Sequence, residues 1–427
     1  MTLSALLPLL SQTERFGELI ESLRRPAASL SLVAPEPPTA YTVASLWREF
    51  GAPVIVLAPG PDIARRIADQ LFTWCGDDAP VFQFVENETL PFERLSPDRG
   101  ATHQRLRALA ALESDGGGRP PIVVVSVLAA AQLTLTPAAF RAGAHTLRVG
   151  DTARPGELLD RWVAMGYVVE PTVEVPGTAS RRGGILDVYP VSATDPVRIE
   201  FFGDEIESIR VFDPETQRSV EPAQSVTVVP AEETLPLLAD AETVQGMLAS
   251  LDFSRASDQV EERVIEELGR AVRGEMRDDL AFYAGFFNHG SLFDYVPPSA
   301  LLVTLRPNAV KDAAVSADRR LARLRAAKER RGEIPGKFPQ PHMDRGVLAD
   351  AIRGCRRSAT LSPFGVDDEG DGEAERLPFE LAPVSGGRVE RALAEVARRA
   401  GLGHRVVVLT QHAGRLAEMA AERDLEA

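Results

Sequence analysis

Phosphate chemistry is the first possibility to test. An apolar run, SLSLVA (29–34), leads through a short loop into TAYTVASLWREF (39–50). A strand feeding a helix N-terminus is the usual cradle for a nucleotide phosphate. A working P-loop wraps the phosphates in backbone amides, which takes glycines, and reaches them with a lysine. Here the connection reads Val33-Ala34-Pro35-Glu36-Pro37-Pro38-Thr39-Ala40-Tyr41. It has no glycine, its prolines remove amide donors, and Glu36 would repel an anion. A second ATPase requirement, an apolar strand ending in acidic residues for magnesium, also fails: ALLVTL (300–305) runs into Arg306-Pro307. Ala34, Thr39, Ala40 and Tyr41 therefore read as a degenerate, inactive nucleotide loop, and no catalytic residue is assigned.

Lysine usage widens that exclusion. The 427 residues contain 47 Lys and Arg together, but only Lys311, Lys328 and Lys337 are lysines. Schiff-base and pyridoxal chemistry are thus excluded from residues 1–310. The six histidines show no HxxH or HExxH spacing, and Cys75 and Cys355 stand far apart, so no metal site or disulfide framework is expected. This cysteine usage fits a reducing cytoplasm. The start, MTLSALLPLLSQTERF, lacks a basic region and a cleavage site, and no apolar stretch is long enough to span a membrane. A net charge of −15 argues against a general nucleic-acid coat, though not against a local basic site.

Two arginine patterns suggest recognition instead. Along VRIEFF (197–202), alternation puts Ile199 and Phe201 on one face and Arg198, Glu200 and Phe202 on the other. An exposed phenylalanine beside an arginine has the composition of an interface hot spot. The ordinary alternative is that Phe202 packs under the Gly203-Asp204 turn and Arg198 pairs with Glu200 or a neighbour. The run RRLARLRAAKERR (319–331) carries seven basic residues and one acid. Arg319, Arg320, Arg323 and Lys328 could contact DNA from a helix there, or the run could be a solvated face.

These residues need elements to hold them. Apolar runs at 29–34, 54–59, 81–85 and 121–127 alternate with helical stretches, which predicts an α/β domain with a parallel sheet covered on both faces. Near 146 the pattern changes to one helix at about 154–165, then alternating strands separated by Pro176-Gly177, Gly183-Gly184, Gly203-Asp204 and Asp213-Pro214, a small α+β domain. From about 231 the chain turns mostly helical. GVDDEGDGEAE (365–375) predicts a flexible linker. After it, a helix, a strand RVVVLT (405–410) and another helix read as a truncated α/β unit.

The run SRRGGILDVYPVSATDPVRIEFFGDEIESIRVFDPETQRSVE (180–221) resembles a signature shared by the excision-repair helicase UvrB and the transcription-repair coupling factors (Mfd). ENETLPFERLSPDRGATHQRLRAL (86–109) resembles the coupling-factor version of the neighbouring domain, and the degenerate loop at 34–41 fits that family, whereas UvrB keeps a working one. The resemblance implies UvrB-like domains 1A (1–145), 2 (146–231) and 1B (232–350), then an acidic linker (351–378) and the start of a further α/β domain (379–427). It implies that domain 2 binds UvrA through Arg182, Arg198 and Phe202. It also implies that the chain itself needs no cofactor. ATP, magnesium, RNA polymerase and double-stranded DNA would belong to family parts outside these residues, including an ATP-driven DNA translocase. The alternatives are a UvrB-type DNA helicase or nucleotide hydrolase, and a DNA-binding module. On the residues alone, Ser96 should cap the helix entered at Pro97.

Overall fold

The computed structural model describes residues 3–76, 78–114, 118–276, 279–363, 374–381, 389–408, 410 and 412–421. It forms two units, 1–377 and 378–427. The first holds a seven-stranded parallel sheet. Its strands are β1 (Ser29–Val33), β2 (Val54–Ala58), β3 (Val81–Phe84) and β4 (Ile122–Ser126) from the first part of the chain, and three later ones introduced below. β2 and β4 are buried on both faces, as their uninterrupted valine and isoleucine content requires. Helix Pro61–Cys75 covers the sheet with Ile67 and Leu71, while Arg65 and Arg66 point outward.

An inserted domain follows. The chain enters it through β5 (His145–Arg148), which pairs antiparallel with a strand at the exit, Ser225–Val228. Between them β6 (Val168–Val169), β7 (Thr178–Arg182), β8 (Ile185–Val188), β9 (Val197–Phe202), β10 (Glu205–Phe212) and β11 (Ser219–Ala223) form a six-stranded sheet in the order β11-β10-β9-β8-β7-β6. The exit strand is β12. Helix Pro155–Ala164 contributes the fully buried Trp162, and Tyr167 Oη donates to Val229 O at 2.9 Å.

The chain then returns to the large sheet. β13 (Leu301–Leu305) and β14 (Ser358–Ser362) lie in its middle, and β15 (Glu375–Arg376) at its edge, giving the order β15-β1-β14-β13-β2-β4-β3. The sheet is therefore assembled from chain on both sides of the insert. Here the sequence reading needs correcting. β14 falls inside the stretch assigned to the acidic linker, yet it pairs with both β1 and β13. Its sequence, SATLS, buries only Ala359 and Leu361, so its apolar signal is too weak to read. Residues 364–373 of the predicted linker lie outside the described residues. The predicted strand RVVVLT is also corrected: 405–408 form no strand, and Val406, Val407 and Val408 are exposed. A lone apolar run has no ladder to join. The cap of helix Arg99–Glu113 is Asp98, whose side chain accepts from the Ala101 amide at 2.8 Å, not Ser96. No helix among the described residues is long and apolar enough to cross a membrane.

At the seam where the insert rejoins the sheet, Glu232 rests on Gly166. That glycine has φ +92°, and a Cβ there would lie 2.6 Å from the Glu232 Cγ. Burial pushes the Glu232 carboxyl up to about 7; Arg99 opposes the rise and Glu233 adds to it. The folded state thus keeps a proton that the unfolded chain releases near 4.5. The contribution of this group to stability is highest below that value and is lost as pH rises toward 7. Glu232→Gln is expected to remove this loss, which urea midpoints measured from pH 5 to pH 8 would show.

Candidate functional site

The degenerate loop is closed by its own side chains. The Glu36 carboxylate accepts from Arg66 Nη2 at 2.7 Å and also pairs with Arg306, the residue just after β13. The Ala34 amide donates to Ser362 O at 3.1 Å, and Thr39 Oγ1 donates to Glu36 O at 2.7 Å. Ala40 is buried, and Tyr41 Oη donates to Leu6 O. The cavity beside them is about 20 Å³. A tethered carboxylate already pairs with the nearby cationic groups, and the loop has neither a lysine nor a glycine for a triphosphate. Millimolar Mg-ATP is expected to leave the melting temperature unchanged, whereas binding at 100 times Kd would add about 2.7 kcal/mol. A thermal-shift titration checks this. Among the described residues, no group of three or more His, Cys, Asp or Glu is placed to hold a metal ion.

The open face of the inserted sheet is different. Two-residue hairpin turns join β7 to β8 at Gly183-Gly184 and β9 to β10 at Gly203-Asp204, with Gly183 and Gly203 at positive φ as such turns demand. The register places Ser180 opposite Asp187, Asp187 opposite Arg198, and Arg198 opposite Arg210. Arg182, Ile185, Glu200 and Ser208 extend the same face. The other face carries the buried Leu186, Ile199 and Ile209. Phe202 closes the strand with 78% of its surface exposed, more than any other large apolar side chain among the described residues. The alternative of Phe202 tucked under its turn is thereby removed.

Asp187 is the centre of this face, and the sequence reading missed it. Its side chain is 1% exposed. Arg198 donates to it twice, Nε to Oδ1 at 2.7 Å and Nη2 to Oδ2 at 2.9 Å, and Arg182 Nη2 donates to Oδ2 at 2.5 Å. Arg198 also donates from Nη1 to Gln217 O at 3.3 Å, and its guanidinium lies 4.9 Å from the centre of the Phe212 ring. The hydrogen bonds to Asp187 hold the Arg198 pKa above its ordinary value. Arg198 therefore pairs with Asp187, not with Glu200, which instead accepts from Ser208 Oγ at 2.6 Å. The available signal was the tight β7–β8 turn, which alone sets Ser180 against Asp187. The β8–β9 connection is too long to give the second register.

The basic run lies on helix Pro307–Arg330. Arg319, Arg320 and Arg323 are exposed. Lys328 is not part of that surface. It is buried and its Nζ pairs with Glu93 at 2.9 Å and Glu333 at 3.2 Å. At 3.6 residues per turn it falls roughly 180° from Arg319.

Comparison with known proteins agrees with the placement of the insert. A family model described as the UvrB interaction domain matches residues 146–233. The transcription-repair-coupling factor of Myxococcus xanthus is 40% identical over 200 residues, 46% of this chain and 16% of that protein. That of Bacillus subtilis (strain 168) is 30% identical over 269 residues, 61% of this chain and 22% of that protein. That of Escherichia coli (strain K12) is 26% identical over 300 residues, 69% of this chain and 25% of that protein. The chain thus spans about a fifth of the length of these relatives.

Proposed function

We infer that this chain, which carries the UvrB interaction domain and matches the N-terminal region of the transcription-repair-coupling factors, is a non-catalytic recruitment module that docks UvrA. In this reading it brings the excision-repair machinery to a stalled RNA polymerase. Polymerase binding and ATP-driven translocation on DNA are assigned to parts of such a factor beyond these residues. The observation that supports the reading most is the open sheet face, which carries both the exposed Phe202 and the half-exposed Arg182. An apolar ring in water costs solubility and does nothing for the core, and on a face that also carries an arginine it suits a partner surface that pairs an apolar pocket with a carboxylate.

The rival reading, a UvrB-type helicase or other nucleotide hydrolase, has to work without a lysine or a glycine at residues 34–41. A DNA-binding role would rest on Arg319, Arg320 and Arg323, which one helix face exposes together. Immobilised chain is expected to capture purified UvrA. No capture would overturn the recruitment reading. DNA affinity that falls steeply with salt and disappears when those three arginines are neutralised would favour the DNA role in its place.

A further inference from the structure

We propose that Asp187 is a positioning residue of the docking face, and that Arg182 with Phe202, rather than Arg198, makes the direct contact with the partner. This inference rests on the recruitment reading above. The guanidinium edges already in use distinguish the two arginines. A carboxylate on a partner is best taken by the fork of an arginine, two parallel N–H groups on one edge. Arg198 has spent its Nε–Nη2 edge on Asp187 and its Nη1 on Gln217 O, its ring neighbour Phe212 lies below, and only 16% of its side chain remains exposed. A partner would have to break a buried bidentate pair to reach it. Arg182 is the opposite case. Half its side chain is exposed, at 52%, and its one bond to Asp187 uses Nη2. Among the described residues, its Nε and Nη1 have no protein partner, so it can still give a new ligand a second bond.

Asp187 connects the two arginines. One buried carboxylate on the middle strand holds Arg198 from one neighbour and Arg182 from the other. A free arginine side chain samples many rotamers and loses them on binding. Arg182 has lost part of that freedom before any partner arrives, because Asp187 is itself fixed by the fork of Arg198. Arg198 thus acts on the partner through Asp187 and Arg182.

The test measures the affinity of purified UvrA for the intact chain and four variants: Arg182→Ala, Asp187→Asn, Asp187→Asn in the Arg182→Ala background, and Asp187→Asn/Arg198→Gln. The last removes both members of the buried pair, so the fold keeps no uncompensated charge while Arg182 stays unanchored. Asp187→Asn is expected to weaken binding about 10-fold, and to add less than about twofold once Arg182 is gone, as coupled residues should. The double isosteric variant is expected to remain about 10-fold weak with its melting restored. Binding at the wild-type level by that variant, or an undiminished effect of Asp187→Asn without Arg182, would overturn the inference. Nitrogen-15 spectra of the arginine side chains read the positioning without any partner. Arg182 should show hindered rotation about Nε–Cζ in the wild type and free rotation in Asp187→Asn. Identical spectra would sink the positioning role. Failure of the wild type to bind UvrA, with the spectral difference present, would instead overturn the recruitment reading.

Discussion

Phe202→Ala is expected to weaken capture of UvrA by about 2 kcal/mol, roughly 30-fold, while leaving stability within about 0.5 kcal/mol. The two magnitudes separate because the ring is 78% exposed in the free chain. Truncating it removes almost no buried area from the folded state. It does remove the side chain that a partner would desolvate, and full burial of a phenylalanine is worth about 1.5–3 kcal/mol. Calorimetric titration with UvrA gives the first number and urea unfolding the second. Val220→Ala is the control: its side chain is also exposed, but it lies on the edge strand β11, opposite the bulge in its pairing with β10. It should change neither quantity measurably. Equal losses in both variants would mean that diffuse apolar surface, not Phe202, drives association.

Which parts of this arrangement could be read in advance follows from where each signal resides. β2, β4 and β13 were legible because a strand buried on both faces must be apolar throughout. The facing of Phe202 was legible for a similar reason, since the period of a strand is two and Ile199 marks the inner side. β14 and the run at 405–408 fail in opposite directions. SATLS is a weak strand sequence that two parallel neighbours hold in place, whereas the strong run at 405–408 has no strand partner among the described residues. In both, the deciding contacts are remote in sequence. Lys328 was misplaced because a basic run was read as one surface, although helical geometry spreads it around the axis. Asp187 was missed for the deepest reason. Its role depends on two inter-strand registers at once, and a sequence reveals such a register only where a tight turn fixes it.

The largest stability effect is expected at the seam, where Glu233→Ala should cost about 3–5 kcal/mol. Arg105 and Glu233 are both buried and far apart in the chain, one on helix Arg99–Glu113 and the other just past the exit of the insert. Arg105 Nε lies 2.9 Å from both Glu233 oxygens, and Thr134 Oγ1 donates to Oε1 at 2.6 Å. Arg105 Nη1 donates to Val85 O and to Gln132 Oε1, each at 2.9 Å, and the guanidinium lies 3.9 Å from the centre of the Phe84 ring. Every hydrogen-bond partner of Arg105 except Glu233 is neutral. Removing Glu233 therefore leaves a buried positive charge without its carboxylate, which is why the cost exceeds that of an ordinary hydrogen bond. Arg105→Met/Glu233→Leu should recover most of the loss, because the charge and its counter-charge leave together and apolar volume replaces them. Urea unfolding of the single and double variants decides the point. If Glu233→Ala costs under about 1 kcal/mol, the pair behaves like a surface ion pair and the seam is wetter than its burial implies. The same comparison tests how the two halves cooperate. Asp187, Arg182 and Phe202 are held by hydrogen bonds and registers wholly inside the insert, so the fraction of Glu233→Ala that stays folded should bind UvrA with unchanged affinity. A parallel loss of affinity would mean that the docking face depends on the seam as well as on its own sheet.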